Sequence, residues 1–171
     1  LGDVYKRQDE IMRMLENLVL KEARTFEILK KQYEAMLAEL PKGSLTLKRG
    51  VYYYLNYKEH GKMISKYVGK KSPEIDSLRE KIEKRRHIEK MLRNIFDNVQ
   101  VGVELYDKEG YLVDINTKDL DIFGIEAKED VLGVNFFENP IVPGEIARNV
   151  RNGLEQSFRL DYPFDRLGGY Y

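Results

Sequence analysis

The sequence predicts an α+β chain, a helix–β-meander–helix module followed by an incomplete antiparallel sheet with short helices. Three observations carry this. An apolar 3-4 repeat runs from Met12 to Leu40, strict alternation follows over Val51–Lys58, and from residue 96 short alternating runs are separated by glycine stops. With 171 residues, 42% apolar and 34% charged, the chain has material for one ordinary domain or two small ones. The division read from it is 9–95 and 96–171.

Residues 1–8, LGDVYKRQ, are set apart because they resemble the adapter-derived translation found at the ends of metagenomic reading frames. They are expected to be a non-native leader. The first helix then shows Met12, Leu15, Val19, Phe26, Leu29, Tyr33, Met36 and Leu40 on one seam, broken at Glu22. That narrow stripe faces one partner helix. Pro41 ends it by removing an amide donor and disfavouring helix at Leu40. The second helix opens at Ser72-Pro73, an N-cap followed by proline at the first helical position, with Glu74 and Asp76 in the first turn. Its apolar positions are Ile75, Leu78, Ile82, Ile88, Met91, Leu92 and Ile95, interrupted by Lys84-Arg85-Arg86-His87. The two helices are expected to pack antiparallel within the chain, with a coiled-coil homodimer as the alternative.

Between them, Val51, Tyr53, Leu55 and Tyr57 alternate with Tyr52, Tyr54, Asn56 and Lys58. His60-Gly61 supplies a turn, Met63 to Val68 returns, and Leu45 to Lys48 adds a third strand. The first reading is a small sheet whose tyrosines cover the helices. The second is a basic aromatic surface for nucleic acid, with Lys48, Arg49, Lys58, Lys62, Lys66, Lys70 and Lys71 on phosphates and Tyr52 or Tyr54 stacking bases. Charge supports a distinct role for this stretch. The 29 basic and 29 acidic groups cancel overall, yet residues 41–71 carry +7 and residues 96–171 carry −8. The string YYYL-x-Y … GK-x-x-SKYVGK resembles a segment near the start of some transposases. The stretch as a whole is similar to a helix–β-meander–helix module of prokaryotic proteins of uncharacterised function.

In the acidic part, strands over Val101–Tyr106 and Tyr111–Asn116 flank Lys108-Glu109-Gly110 as a hairpin, with Gly110 at positive φ. Tyr111, Val113 and Ile115 are expected to line one face. Asn116-Thr117 caps a short helix that Gly124 stops, and further short helices run to Gly133 and from Pro143 to Asn152-Gly153. Ser157 to Phe164 alternates as a last strand.

This order, with Asp107, Gly110, Asn116, Phe123-Gly124 and Val131-Leu132-Gly133, resembles a PAS domain over about 92–171, similar to sensor segments of bacterial two-component histidine kinases. The resemblance implies a five-stranded sheet cut before its closing strands, with Ile115, Phe123, Val134, Phe136 and Phe158 as candidates for a ligand pocket, although apolar residues at such spacing are expected first to pack the core. It also implies a relay through helix 74–99 at Ile95, Phe96, Asn98 and Val101 to an output domain. A sensory role in signal transduction in the cytoplasm, with a homodimer through helices or the PAS part, is the expectation. Nucleic-acid binding by the meander is the alternative.

Several chemistries are argued against by residue type. The chain has no Cys, and Phe136 stands where a covalent-flavin photosensor would place its Cys. A His-ligated haem is argued against because His60 and His87 both lie outside the acidic part. No cofactor or metal set, Gly-rich phosphate loop or Ser/His/Asp triad is legible, so the chain is read as non-enzymatic. No apolar run approaches the ~20 residues that cross a bilayer.

Overall fold

The first helix, α1, spans Gly2–Ala38 and so takes in most of the eight-residue leader. The computed structural model describes residues 2–156 and Phe158. Helix geometry fails beyond Ala38 and the Leu40 amide closes a last turn on the Leu37 carbonyl (3.2 Å), one residue before Pro41. Three antiparallel strands follow in sequential order: β1 (Ser44–Lys48), β2 (Tyr52–Glu59) and β3 (Lys62–Lys70). β2 and β3 are joined by the two-residue turn His60-Gly61, both at positive φ, and β1 and β2 by Arg49-Gly50-Val51, whose first two residues are at positive φ. That backbone matches the right-handed strand twist. Helix α2 (Pro73–Asn98) begins where the Ser72 hydroxyl accepts from the Ile75 amide, at 3.5 Å.

Ile75 and Ile82 of α2 are buried, and Ile82 sits with Leu45, Leu47 and Tyr53 of the meander. The antiparallel helix pair expected from the sequence is corrected along most of α1. Ile11, Met12, Leu15, Leu18 and Val19 are 45 to 56% exposed, whereas Phe26 is 7% exposed. At ~1.5 Å per residue α1 is about 55 Å long and α2 about 39 Å, and because Arg85, midway along α2, meets the end of α1, too little of α2 remains to cover the first turns. The chain's own fixing point lies at the far end of α1. The Arg85 guanidinium donates from Nη1 to the carbonyls of Leu37 (2.5 Å) and Leu40 (2.9 Å), and its Nε meets Glu89 Oε1 at 2.8 Å. Arg85 therefore interrupts the α2 seam because it satisfies the orphan carbonyls that end α1.

The chain divides into two compact units, residues 1–95 and 96–171. In the second, β4 (Glu104–Tyr106) and β5 (Leu112–Ile115) pair antiparallel, with Glu104 opposite Ile115 and Tyr106 opposite Leu112. The hairpin is thus present, with strands shorter than expected. Its face is corrected: Leu112 and Ile115 are buried, whereas Tyr111 and Val113 are exposed. The cause is a register irregularity between Leu105 and Tyr106, which switches the side-chain phase so that residues three apart both point inward. Leu112, Ile115 and Val131 form the core, with Tyr106, Leu120 and Ile125 packed on it. The other edge of β5 is taken by residues 133–136: the Leu112 amide donates to the Val134 carbonyl (2.8 Å), and the Phe136 amide to Gly110 (2.8 Å).

Helix α3 (Thr117–Phe123) starts at the Asn116 cap and stops at Gly124, which is left-handed. Single 3-10 turns cover Lys128–Asp130 and Phe136–Glu138, and α4 spans Gly144–Arg151. Gly133, also at positive φ, donates its amide to the Leu112 carbonyl at 2.8 Å. The strand expected over Ser157–Phe164 lies outside the described residues except for Phe158. Architecture among the described residues is α+β, with one three-stranded and one two-stranded antiparallel sheet.

Candidate functional site

The meander has two unlike faces. One carries Tyr53, Leu55 and Tyr57; Tyr53 sits with Leu45, Leu47, Arg79 and Ile82 beside α2. The other gathers Thr46 and Lys48 of β1, Tyr52, Tyr54, Asn56 and Lys58 of β2, and Tyr67 and Lys70 of β3, by strand register. Three tyrosine rings meet there. Tyr67 lies 6.1 Å from Tyr52 and 5.5 Å from Tyr54 between centroids. Lys48 Nζ lies 4.5 Å from the Tyr54 centroid and Lys70 Nζ 5.6 Å from that of Tyr52. Both ammonium groups are held by the negative ring faces. No carboxylate among the described residues pairs with Lys48, Lys58 or Lys70. Beside the rings, Asn56 Nδ2 donates to Thr46 Oγ1 at 2.6 Å.

Of the sequence-predicted contacts, Lys48, Tyr52, Tyr54, Lys58 and Lys70 share this face, and Arg49 projects from the β1–β2 turn. Lys62 and Lys66 do not belong with them. They stand opposite Glu59 and Leu55, which places them on the Tyr53 face. Tyr67 was not singled out by sequence reasoning, for the same reason. Simple alternation groups Lys62, Lys66 and Lys70 and sends Tyr67 to the other side. A bulge opposite Tyr53/Tyr54, with Gly69 at positive φ, reverses the phase between Tyr67 and Lys70. Gly69, followed by Lys70, is the one sequence signal for it.

The second unit contains a cavity of about 530 Å³. Phe123, Val134, Phe136 and Phe158 line it as expected, but Ile115 does not; it is fully buried in the core instead. The cavity also receives Glu104 and Asp119. Neither was singled out as a site residue, because the two are far apart in sequence and only the fold joins β4 to α3. Burial and the facing Glu104 carboxylate push the Asp119 carboxyl up to about 7.

The remaining expected positions are structural. Asn116 is fully buried and uses every side-chain valence: Oδ1 accepts from the amides of Val103 (2.9 Å) and Asp119 (3.0 Å), and Nδ2 donates to the carbonyls of Phe96 (2.9 Å) and Val101 (3.0 Å). Of the relay candidates, Phe96 and Val101 are thus buried and tied to Asn116, Ile95 is half-buried and Asn98 is exposed. Asp107 Oδ1 accepts from the amides of Glu109 (3.1 Å) and Tyr111 (2.9 Å), closing the hairpin turn. Gly110, at φ 89°, has Phe137 so close that a Cβ would lie 2.4 Å from its ring. No group of three or more His, Asp or Glu side chains among the described residues is placed to hold a metal ion. No described helix is long and apolar enough to cross a membrane.

Residues 5–77 match the family model "Domain of unknown function (DUF6788)". The match covers α1, the whole meander and the start of α2, fewer than half of the residues. No curated protein and no solved structure matches the chain. No PAS family model matches either, and the family that is found lies in the other part of the chain, so the PAS resemblance is corrected. The features that carried it, a tight Asp-Gly turn, an Asn cap and glycine helix stops, are local chemistry that many folds share.

Proposed function

We propose that the meander is a binding module for single-stranded nucleic acid, with Tyr52, Tyr54 and Tyr67 as the stacking platform. The observation that carries this is one sheet face bearing three touching aromatic rings with Lys48, Lys58 and Lys70 around them and no carboxylate neutralising those lysines. Every base has a face that stacks on tyrosine, and the sugar–phosphate strand needs cations at its flank. Lys48 and Lys70 lie on the rings in the free protein; with a strand bound, they turn outward to phosphates and bases take their place. Arg49 at the turn extends the basic edge. The proposal places the protein in the cytoplasm and assigns the meander recognition without chemistry. The signalling reading drew on the PAS resemblance and is not carried further.

Fluorescence anisotropy with labelled single-stranded DNA and RNA tests this. Affinity should fall with salt, and Lys48→Gln or Lys70→Gln should each reduce the log–log slope by about 0.7. Tyr54→Ala or Tyr67→Ala should cost about 1–3 kcal/mol of binding. Lys62→Gln and Lys66→Gln, on the opposite face, should change affinity far less. Salt-independent binding, no binding, or equal losses from the two faces would each reject the proposal.

A further inference from the structure

The cavity of the second unit has apolar walls, with Phe123, Val134, Phe136 and Phe158 among them, and a volume of about 530 Å³ that suits a small organic molecule. Among the described residues its charged groups are of one sign, Glu104 from β4 and Asp119 from α3. Asp119 is only 7% exposed, and its buried Oδ2, when ionised, meets no donor among the described residues. The backbone opposite is shaped around this carboxyl: a Cβ on Gly102 would come within 1.9 Å of Asp119 Oδ1. The group that faces Asp119 is Glu104, which accepts the proton of the neutral Asp119 carboxyl in a side-chain hydrogen bond, and Glu104 Oε2 also takes the Tyr106 hydroxyl at 2.5 Å. Once Asp119 ionises, two carboxylates face each other with no donor between them, a cost on the order of 1–3 kcal/mol, so the ionised site is short of a donor.

We propose that this cavity binds a small organic amine, its ammonium between Glu104 and Asp119 and its apolar body against the phenylalanines. An ammonium supplies three donors and the positive charge that both carboxylates lack. A metal ion fits poorly, because hard cations take six or more oxygen ligands and no group of three or more His, Asp or Glu side chains among the described residues is placed to hold one. Without ligand, Asp119 holds a proton up to about pH 7 because of burial and Glu104. Among the described residues Glu104 is the one charged group facing it, so an incoming ammonium favours ionisation and binding releases a proton.

Calorimetry on the full chain with 2-phenylethylamine, 2-phenylethanol and 3-phenylpropionate tests this. The amine should bind at least about tenfold more tightly than the alcohol, and the acid more weakly than either. The amine's heat should vary with the ionisation enthalpy of the buffer below pH 7. Asp119→Asn should reduce amine affinity at least about tenfold, and Glu104→Gln serves where that variant does not fold. Equal affinity for amine and alcohol, unchanged affinity in a folded variant, or no amine binding up to millimolar concentration would each overturn the proposal. None of these outcomes bears on the meander.

Discussion

A single amide holds much of the second unit together. Asn116 links the end of α2, the segment before β4 and the first turn of α3 through four hydrogen bonds made with no solvent to replace them. Asn116→Ala removes all four bonds, taking its partner from the Val103 amide and leaving the Asp119 amide only the Asn116 backbone carbonyl (3.2 Å), and should destabilise this unit by on the order of 3 kcal/mol in urea melts. Asn116→Asp should be no better, because an oxygen then faces the carbonyls of Phe96 and Val101. Asp119 gives a second test through pH. Its carboxyl holds its proton more tightly in the fold, at about 7, than near 3.8 in the unfolded chain. Stability from this group is therefore complete below about pH 4 and lost as pH rises toward about 7. The melting temperature of the wild type relative to Asp119→Asn should fall across that window and level off above it. A constant difference would show that Asp119 titrates alike in both states.

At the scale of elements, the two ends of α1 behave differently because one is capped by another element. Arg85→Ala removes both bonds to the Leu37 and Leu40 carbonyls and the stem that packs beneath them, and should cost the first unit about 2 kcal/mol by thermal melting. Arg85→Lys should recover less than half, since an ammonium lacks the planar fork that serves two carbonyls and Glu89 together. The elements themselves were largely legible: Pro41, Ser72-Pro73, His60-Gly61, Asn116 and Gly124 all act by local backbone chemistry, and the structure places turns, caps or helix ends at each. What was illegible is the facing of strands. A bulge shifts the phase of alternation in β3 and a register irregularity does so at β4–β5. That moved Lys62 and Lys66 away from the tyrosine platform, brought Tyr67 onto it, and exchanged Leu112 for Tyr111 in the core. The Glu104–Asp119 pair was hidden for a different reason: fifteen positions separate the two, and only the chain's return from hairpin to helix makes them neighbours.

For the molecule as a whole, zero net charge conceals a +7 segment at 41–71 and a −8 segment from 96 on, so the isoelectric point near 7 says little about either surface. The two candidate sites follow this partition, a cationic sheet face in one unit and an anionic cavity in the other. The bare stretch of α1 has a consequence of its own. Around residues 11–20 every side chain is exposed among the described residues, whereas from Phe26 onward one face is covered, with Phe26 buried and Leu29, Tyr33, Leu37 and Leu40 half-buried. Amide deuteration should therefore proceed in a gradient along this one helix, protection factors climbing steeply past Phe26. Uniformly slow labelling along its length would mean that in solution another surface lies against the first five turns.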